Sequence, residues 1–223
     1  MFSRTRRFAA IAAVFVALVA VAAGACAGGG DKGPSPDAGM TALAESPFRG
    51  GRVDPPYPKP AVVLTDTTGN PFDLRKETEG FITLFYIGYT HCPDICPTHM
   101  HDIAKVLKES DPAVAAKMKV VFVTADPERD TPQVLGDWLH FFNPAFIGLV
   151  PTKEQLKALL EELDMPQTVY TNIGGGNYTA SHAAYVIAYT PDNQGRLAYP
   201  YGFTIEDWRH DLNKLAFIGW KDE

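Results

Sequence analysis

Cys92 and Cys96 stand four positions apart, where a run of apolar residues gives way to a helical pattern. If they lie near one turn of helix, their Cα atoms are about 6 Å apart, which permits either a disulfide or two thiolates converging on one ion. A bridge over so short a loop stabilises little, which favours chemistry over a plain structural disulfide. The pair reads as a metal bite or as a redox couple exchanging with target thiols. A thiol peroxidase would also need an activated peroxidatic cysteine. Three intervening residues, rather than the two of Cys-x-x-Cys redox motifs, favour metal without excluding exchange.

A third donor has to come from elsewhere in the chain, and there are six histidines to choose from. Two sulfurs and one imidazole suit Cu(I), and with a further weak ligand they also hold Cu(II). Zinc is the chemical rival, but it prefers four ligands. His99 and His101 are two apart on the expected helix, face different ways and read as solvated surface residues. His91 is adjacent to a cysteine and is harder to dismiss. His140 and His210 fall on polar helix faces. His182 opens an apolar run and meets the cysteines only if that run is antiparallel to the strand preceding them.

The elements that must position these residues are legible as patterns. Phe81 to Gly88 is a nearly continuous apolar run, as expected of a strand buried on both faces of a parallel sheet. Pro97 suits a first helical turn, and Met100, Ile103, Val106 and Leu107 recur at helical spacing. Lys119 to Ala125 and Phe146 to Val150 read as further strands, with Thr131 to Phe142 and Thr152 to Leu163 as helices. Ala183 to Thr190 and Arg196 to Tyr201 form a hairpin, and Thr204 to Asp207 resembles a capping box that starts a last helix. The alternation implies an α/β fold with a mixed central sheet and helices on both faces. Ligands of such sheets gather beyond the carboxyl ends of the parallel strands, where Cys92 and Cys96 lie.

The N-terminus gives an address. Arg4, Arg6 and Arg7 precede an uncharged apolar run from Phe8 to Ala23, the layout of an export signal. Ala23-Gly24-Ala25-Cys26 resembles a lipobox, so residues 1–25 are expected to be removed and Cys26 to carry lipid. An uncleaved transmembrane helix is the alternative, because no charge appears before Asp31. The Gly/Ala-rich end makes a better cleavage site than helix terminus. The expected location is therefore the extracytoplasmic face of the plasma membrane. Residues 26–60, rich in Gly, Pro, Ser and Ala, read as a lipid-anchored flexible linker, and residues 61–223 as one domain. Losing the signal removes three of 20 basic residues and none of 26 acidic ones, leaving a net charge of −9. That balance argues against nucleic acid as a partner.

The residues around the cysteines also carry a resemblance. Tyr86-Ile-Gly-Tyr-Thr-His-Cys-Pro-Asp-Ile-Cys-Pro-Thr98 is similar to the copper-site motif of the Sco/SenC family, and Thr124-Ala-Asp-Pro-Glu-Arg-Asp-Thr-Pro132 to that family's second signature. His182, followed by Pro191, Asp192 and Gly195, fits the position of the family's downstream histidine. The resemblance implies a thioredoxin-like fold and one copper per chain, Cu(I) or Cu(II), held by Cys92, Cys96 and His182. It further implies a copper metallochaperone for the dinuclear copper site of cytochrome c oxidase, with the oxidase's copper-bearing subunit or another copper protein as partner. The alternative function is an extracytoplasmic thiol-disulfide oxidoreductase using Cys92 and Cys96. Two departures stand out. Family members often carry Asp before the histidine, where this chain has Ser181, and the loop Ile173 to Asn177 is a local variation expected near the metal side. Asp126 and Asp130 of the second signature read equally as turn and cap residues or as groups on the metal side.

Overall fold

Ile82–Gly88 is buried along its whole length and forms the middle strand of the sheet. The computed structural model describes residues 40–41 and 46–220. In chain order the elements are β1 (Met40–Thr41), β2 (Gly51–Pro58), β3 (Val63–Asp66), β4 (Pro71–Asp73), α1 (Leu74–Glu77), β5 (Ile82–Gly88), α2 (Ile95–Glu109) and α3 (Pro112–Ala115). They continue with β6 (Met118–Thr124), α4 (Pro132–Phe142), β7 (Ile147–Val150), α5 (Lys153–Glu162), β8 (Tyr170–Gly174), β9 (Asn177–Ala180), β10 (Tyr185–Tyr189), β11 (Gln194–Pro200) and α6 (Ile205–Phe217). Among the described residues, no helix is long and apolar enough to cross a membrane.

Nine strands make one mixed sheet in the order β1-β2-β11-β10-β5-β6-β7-β3-β4. β5, β6 and β7 are parallel, and β10 runs antiparallel to β5, pairing Ile187 with Phe85. Alternate side chains of β5 enter two cores. Leu84 and Tyr86 pack with α2, α4 and α6, whereas Phe85 and Ile87 pack with α5 and Leu74. Helices therefore cover both faces, as the alternation of strand and helix patterns implied. The expected starts also hold: Thr131 caps α4, and capping boxes begin α5 at Thr152 and α6 at Thr204.

The ordered sheet begins earlier than the composition suggests. Gly51–Pro58 lies inside the stretch read as a linker, yet β2 pairs with β11 from Gly51 opposite Ala198 to Pro58 opposite Gln194. The ladder shifts register between Gly195 and Leu197, opposite the Asp54-Pro55-Pro56 segment that carries prolines unable to donate to it. Upstream, Phe48 is buried and stacks on Trp220 at 5.3 Å. The fully buried Asp211 carboxylate accepts the amides of Arg49 at 2.9 Å and Gly50 at 2.8 Å, and the Tyr199 hydroxyl at 3.1 Å. Tertiary pairing overrides the coil signal of Gly and Pro here.

A second departure from the sequence pattern is the separate two-stranded sheet of β8 and β9. Gly174, Gly175 and Gly176 turn it, all with positive φ, a backbone region open to glycine at no steric cost. Every residue of β8 is exposed, so no apolar alternation announces the hairpin.

Candidate metal centre

The chain leaves β5 at Gly88, whose carbonyl accepts the Ala125 amide at 2.6 Å, and turns so that the Cys92 amide donates to the Tyr89 carbonyl at 3.2 Å. Asp130 fastens this turn. Its carboxylate accepts the Thr90 amide at 2.9 Å, the Thr90 hydroxyl at 2.5 Å and the Thr124 hydroxyl at 2.6 Å. Helix α2 then begins at Ile95 without a side-chain cap, and the Cys96 amide donates instead to the Cys92 sulfur at 3.5 Å.

Cys96 is wholly enclosed and Cys92 is 9% exposed, and neither is in a disulfide. The Cys96 sulfur lies 3.4 Å from the Tyr86 hydroxyl and 3.4 Å from His182 Nε2. One donor atom from each of Cys92, Cys96 and His182 lies within 4.8 Å of the other two. The antiparallel placement of β10 is what returns His182 to the edge where β5 ends.

The histidine is oriented by the backbone. His182 Nδ1 is 3.2 Å from the Ala183 carbonyl oxygen, which only accepts, so Nδ1 donates there and Nε2 is the ring atom that faces the sulfurs. The rings of Tyr86 and Tyr89 meet the imidazole edge to face at 5.8 and 5.6 Å. Ser181 does not stand in for a carboxylate that holds the ring. Its hydroxyl accepts the Val169 amide at 2.8 Å and its own amide donates to the Val169 carbonyl at 2.9 Å, closing the base of the β8–β9 hairpin.

The two thiols are set apart chemically. Hydrogen bonding from Cys96 draws the Cys92 thiol well below the usual thiol range against the cost of burial, assisted by His182 and by the Cys96 and Asp94 amides. Burial, followed by the neighbouring Cys92, pushes the Cys96 thiol up. One sulfur is thus a ready thiolate while the other keeps its proton until something replaces that proton.

The remaining histidines do not join the cluster. His91 is exposed, with Nδ1 3.0 Å from the Thr90 hydroxyl and 3.7 Å from Asp130. His101 and His140 are exposed, and His210 Nδ1 lies 2.7 Å from Asp211. His99 is a correction to the surface reading. It is buried among the rings of Tyr86, Trp208 and Tyr201, and burial pushes its pKa down to about 4. The signal was present in the spacing, because Cys96, His99, Met100 and Ile103 mark one buried face of α2. Cys26 lies outside the described residues.

Asp126 and Asp130 are both fully buried and lie outside the three-donor cluster. Asp130 ties β6 and the cysteine turn together, as described. Asp126 pairs with Arg129 and accepts the Tyr178 hydroxyl at 2.7 Å, so the variable hairpin is joined to the second signature.

The sequence model of the SCO1/SenC family matches residues 57–216. A putative copper-binding protein of Stutzerimonas stutzeri is 33% identical over 137 residues, covering 61% of this chain and 66% of that protein. Mitochondrial protein SCO2 of Saccharomyces cerevisiae is 33% identical over 135 residues, covering 59% of this chain. The chain spans 44% of the length of the yeast protein. The copper-bound structure of Bradyrhizobium japonicum ScoI is 30% identical, covers 74% of this chain and 98% of its own, and superimposes with a TM-score of 0.60. Its fold is the thioredoxin-like one, and on a match that runs through both cysteines, the second signature and His182, this chain belongs to the SCO1/SenC family.

Proposed function

We propose that the chain is a copper metallochaperone that binds one copper through Cys92, Cys96 and His182 and passes it to a thiolate-bearing site, the dinuclear copper centre of cytochrome c oxidase. The observation that carries this reading is the convergence of two unpaired sulfurs and one imidazole nitrogen within 4.8 Å. Among the described residues no fourth His, Cys, Asp or Glu completes a zinc-type tetrahedron with them. Two soft sulfurs with one nitrogen fit copper. Transfer proceeds by stepwise ligand exchange, target thiolates replacing Cys92 and Cys96 in turn. Lipid on Cys26 holds the protein at the extracytoplasmic face of the membrane, where such a target is assembled.

The reduced protein, titrated with Cu(I) against a chromophoric competitor, is expected to take up one equivalent. Cys92→Ser and Cys96→Ser each lose tight binding, and native affinity in either variant sinks the proposal.

Thiol-disulfide exchange is the second reading, and the contrast between the thiols favours it. The Cys92 thiolate attacks a target disulfide, and Cys96 gives up its proton and displaces the target thiol, leaving a Cys92–Cys96 disulfide and a reduced target. Histidine separates the readings: His182→Ala impairs copper delivery in a copper-limited strain but leaves exchange largely active.

A further inference from the structure

We propose that Arg129, held by Asp126 and seated on Tyr178, is a positioning residue for His182: the clamp fixes the β8–β9 hairpin, and the hairpin fixes the loop that presents the third donor. The proposal rests on the copper reading above for its spectroscopic test.

The Arg129 Nε donates to Asp126 Oδ2, and Nη1 donates to the Tyr178 carbonyl at 3.0 Å. Its guanidinium carbon sits 3.6 Å from the centre of the Tyr178 ring, a cation–π stack. The Tyr178 hydroxyl turns back to Asp126 at 2.7 Å, so the three side chains close on one another. The partner strand is tied to the same loop through the Tyr170 hydroxyl, which donates to the Ala125 carbonyl at 2.8 Å. Both strands of the hairpin are thereby fixed to the segment that follows β6.

Only three residues separate Tyr178 from His182. Thr179 pairs with Thr171, Ala180 is buried and pairs with Tyr170, and Ser181 bonds twice to Val169. Little slack remains to absorb a shift of Tyr178 before it reaches the imidazole. The same guanidinium lies 5.8 Å from the Tyr89 ring, which faces the His182 ring. Arg129 thus stacks on the hairpin that leads to the histidine, lies beside a ring that faces it, and is itself no ligand. Its rigid fork supplies two directed hydrogen bonds and a flat face together, which a lysine does not.

The test is a pair of affinities with a spectrum. In Arg129→Met, Cu(II) affinity is expected to fall about tenfold and the Cu(II) spectrum to shift, because residues supporting a metal ligand typically cost 10- to 100-fold when removed. Cu(I) affinity changes less, since two thiolates hold that ion by themselves. Arg129→Lys should not restore the native spectrum; restoration assigns the effect to charge alone and overturns the clamp. Tyr178→Phe, which keeps the stack and loses one hydrogen bond, should fall between native and Arg129→Met. A native Cu(II) spectrum and affinity in folded Arg129→Met overturns the proposal. Amide exchange in the metal-free protein keeps it independent of the copper reading: residues 169–184 are expected to exchange at least tenfold faster in Arg129→Met than in the native chain, with β5 unchanged. If the native chain binds no copper, the functional reading falls and unchanged exchange alone decides against the clamp.

Discussion

Asp130 accepts two hydrogen bonds from Thr90, from its amide and from its hydroxyl, across forty positions of sequence. A residue of the second signature therefore shapes the turn leading into Cys92. Without this carboxylate, the buried Thr124 hydroxyl and the Thr90 amide lose their acceptor.

Asp130→Ala is expected to destabilise the fold by about 2–4 kcal/mol, the range for removing a buried acceptor with several donors. Urea denaturation of the metal-free protein checks the size. A loss below about 0.5 kcal/mol, the range of neutral surface changes, would show that the turn does not depend on it.

Gly88 backs the Cys96 sulfur so closely that an added Cβ would lie 2.8 Å from it and 2.9 Å from Phe122. Gly88→Ala should cost about 1–3 kcal/mol through overpacking and should displace the sulfur, weakening Cu(I) binding. Gly136→Ala is the control, because the nearest atoms to a Cβ there belong to the Thr67 side chain, at 3.4 Å or more. Equal copper affinity in both variants would mean that the sulfur's seat is adjustable.

The depressed Cys92 thiol should reveal itself by alkylation of the metal-free, reduced protein. Below its pKa of roughly 8.5, an ordinary thiol reacts about tenfold faster for each unit by which the pH rises. Cys92 is expected to react at a nearly constant rate from pH 6 to 8, because it is already thiolate across that window. Cys96 should resist modification. A rate for Cys92 that climbs like a free thiol's would contradict the charge arrangement of the site.

Lys59 is buried, and its ammonium donates to the Thr78 and Thr83 hydroxyls at 2.8 and 3.0 Å with no carboxylate in the set. Burial, with Arg75 adding to it, pulls its pKa from 10.5 down to about 8. The unfolded chain holds the proton more tightly, so folding is penalised below pH 8 and stability recovers as pH rises from 8 towards 10.5. Comparing Lys59→Met with the native chain by urea denaturation isolates this effect. The variant's stability relative to native should decline across that window, and a pH-independent difference would show that folding leaves the amine's pKa unchanged.

Much of the site was legible because it depends on local signals. The apolar run before Cys92 and the helical spacing after Cys96 placed both sulfurs at a strand end, and the turn-rich hairpin after His182 made an antiparallel return plausible. What escaped was set by distant partners. Prolines in Gly51–Pro58 masked a strand that exists because β11 offers it a ladder. The exposed hairpin leading to His182 carries no apolar alternation, and its attachment runs through Arg129 and Asp126, which are more than forty residues away from Tyr178. That His99 and His101 face different ways left open that one of them faces inward, and the spacing of His99 with Cys96 and Met100 makes it that one.

The pairing of Arg49 and Gly50 with Asp211 has a practical consequence for any fragment of this protein. A chain starting at Ala61, where the sequence pattern first turns regular, would lack the latch and all of β2. Trp220 would lose the ring stacked on it, and Asp211 would lose its two amide donors. The far side of β11 would become an open edge of unpaired backbone, a template for another molecule's strand. Self-association of such a truncated fragment would then reflect the missing seam and say nothing about how the intact protein assembles.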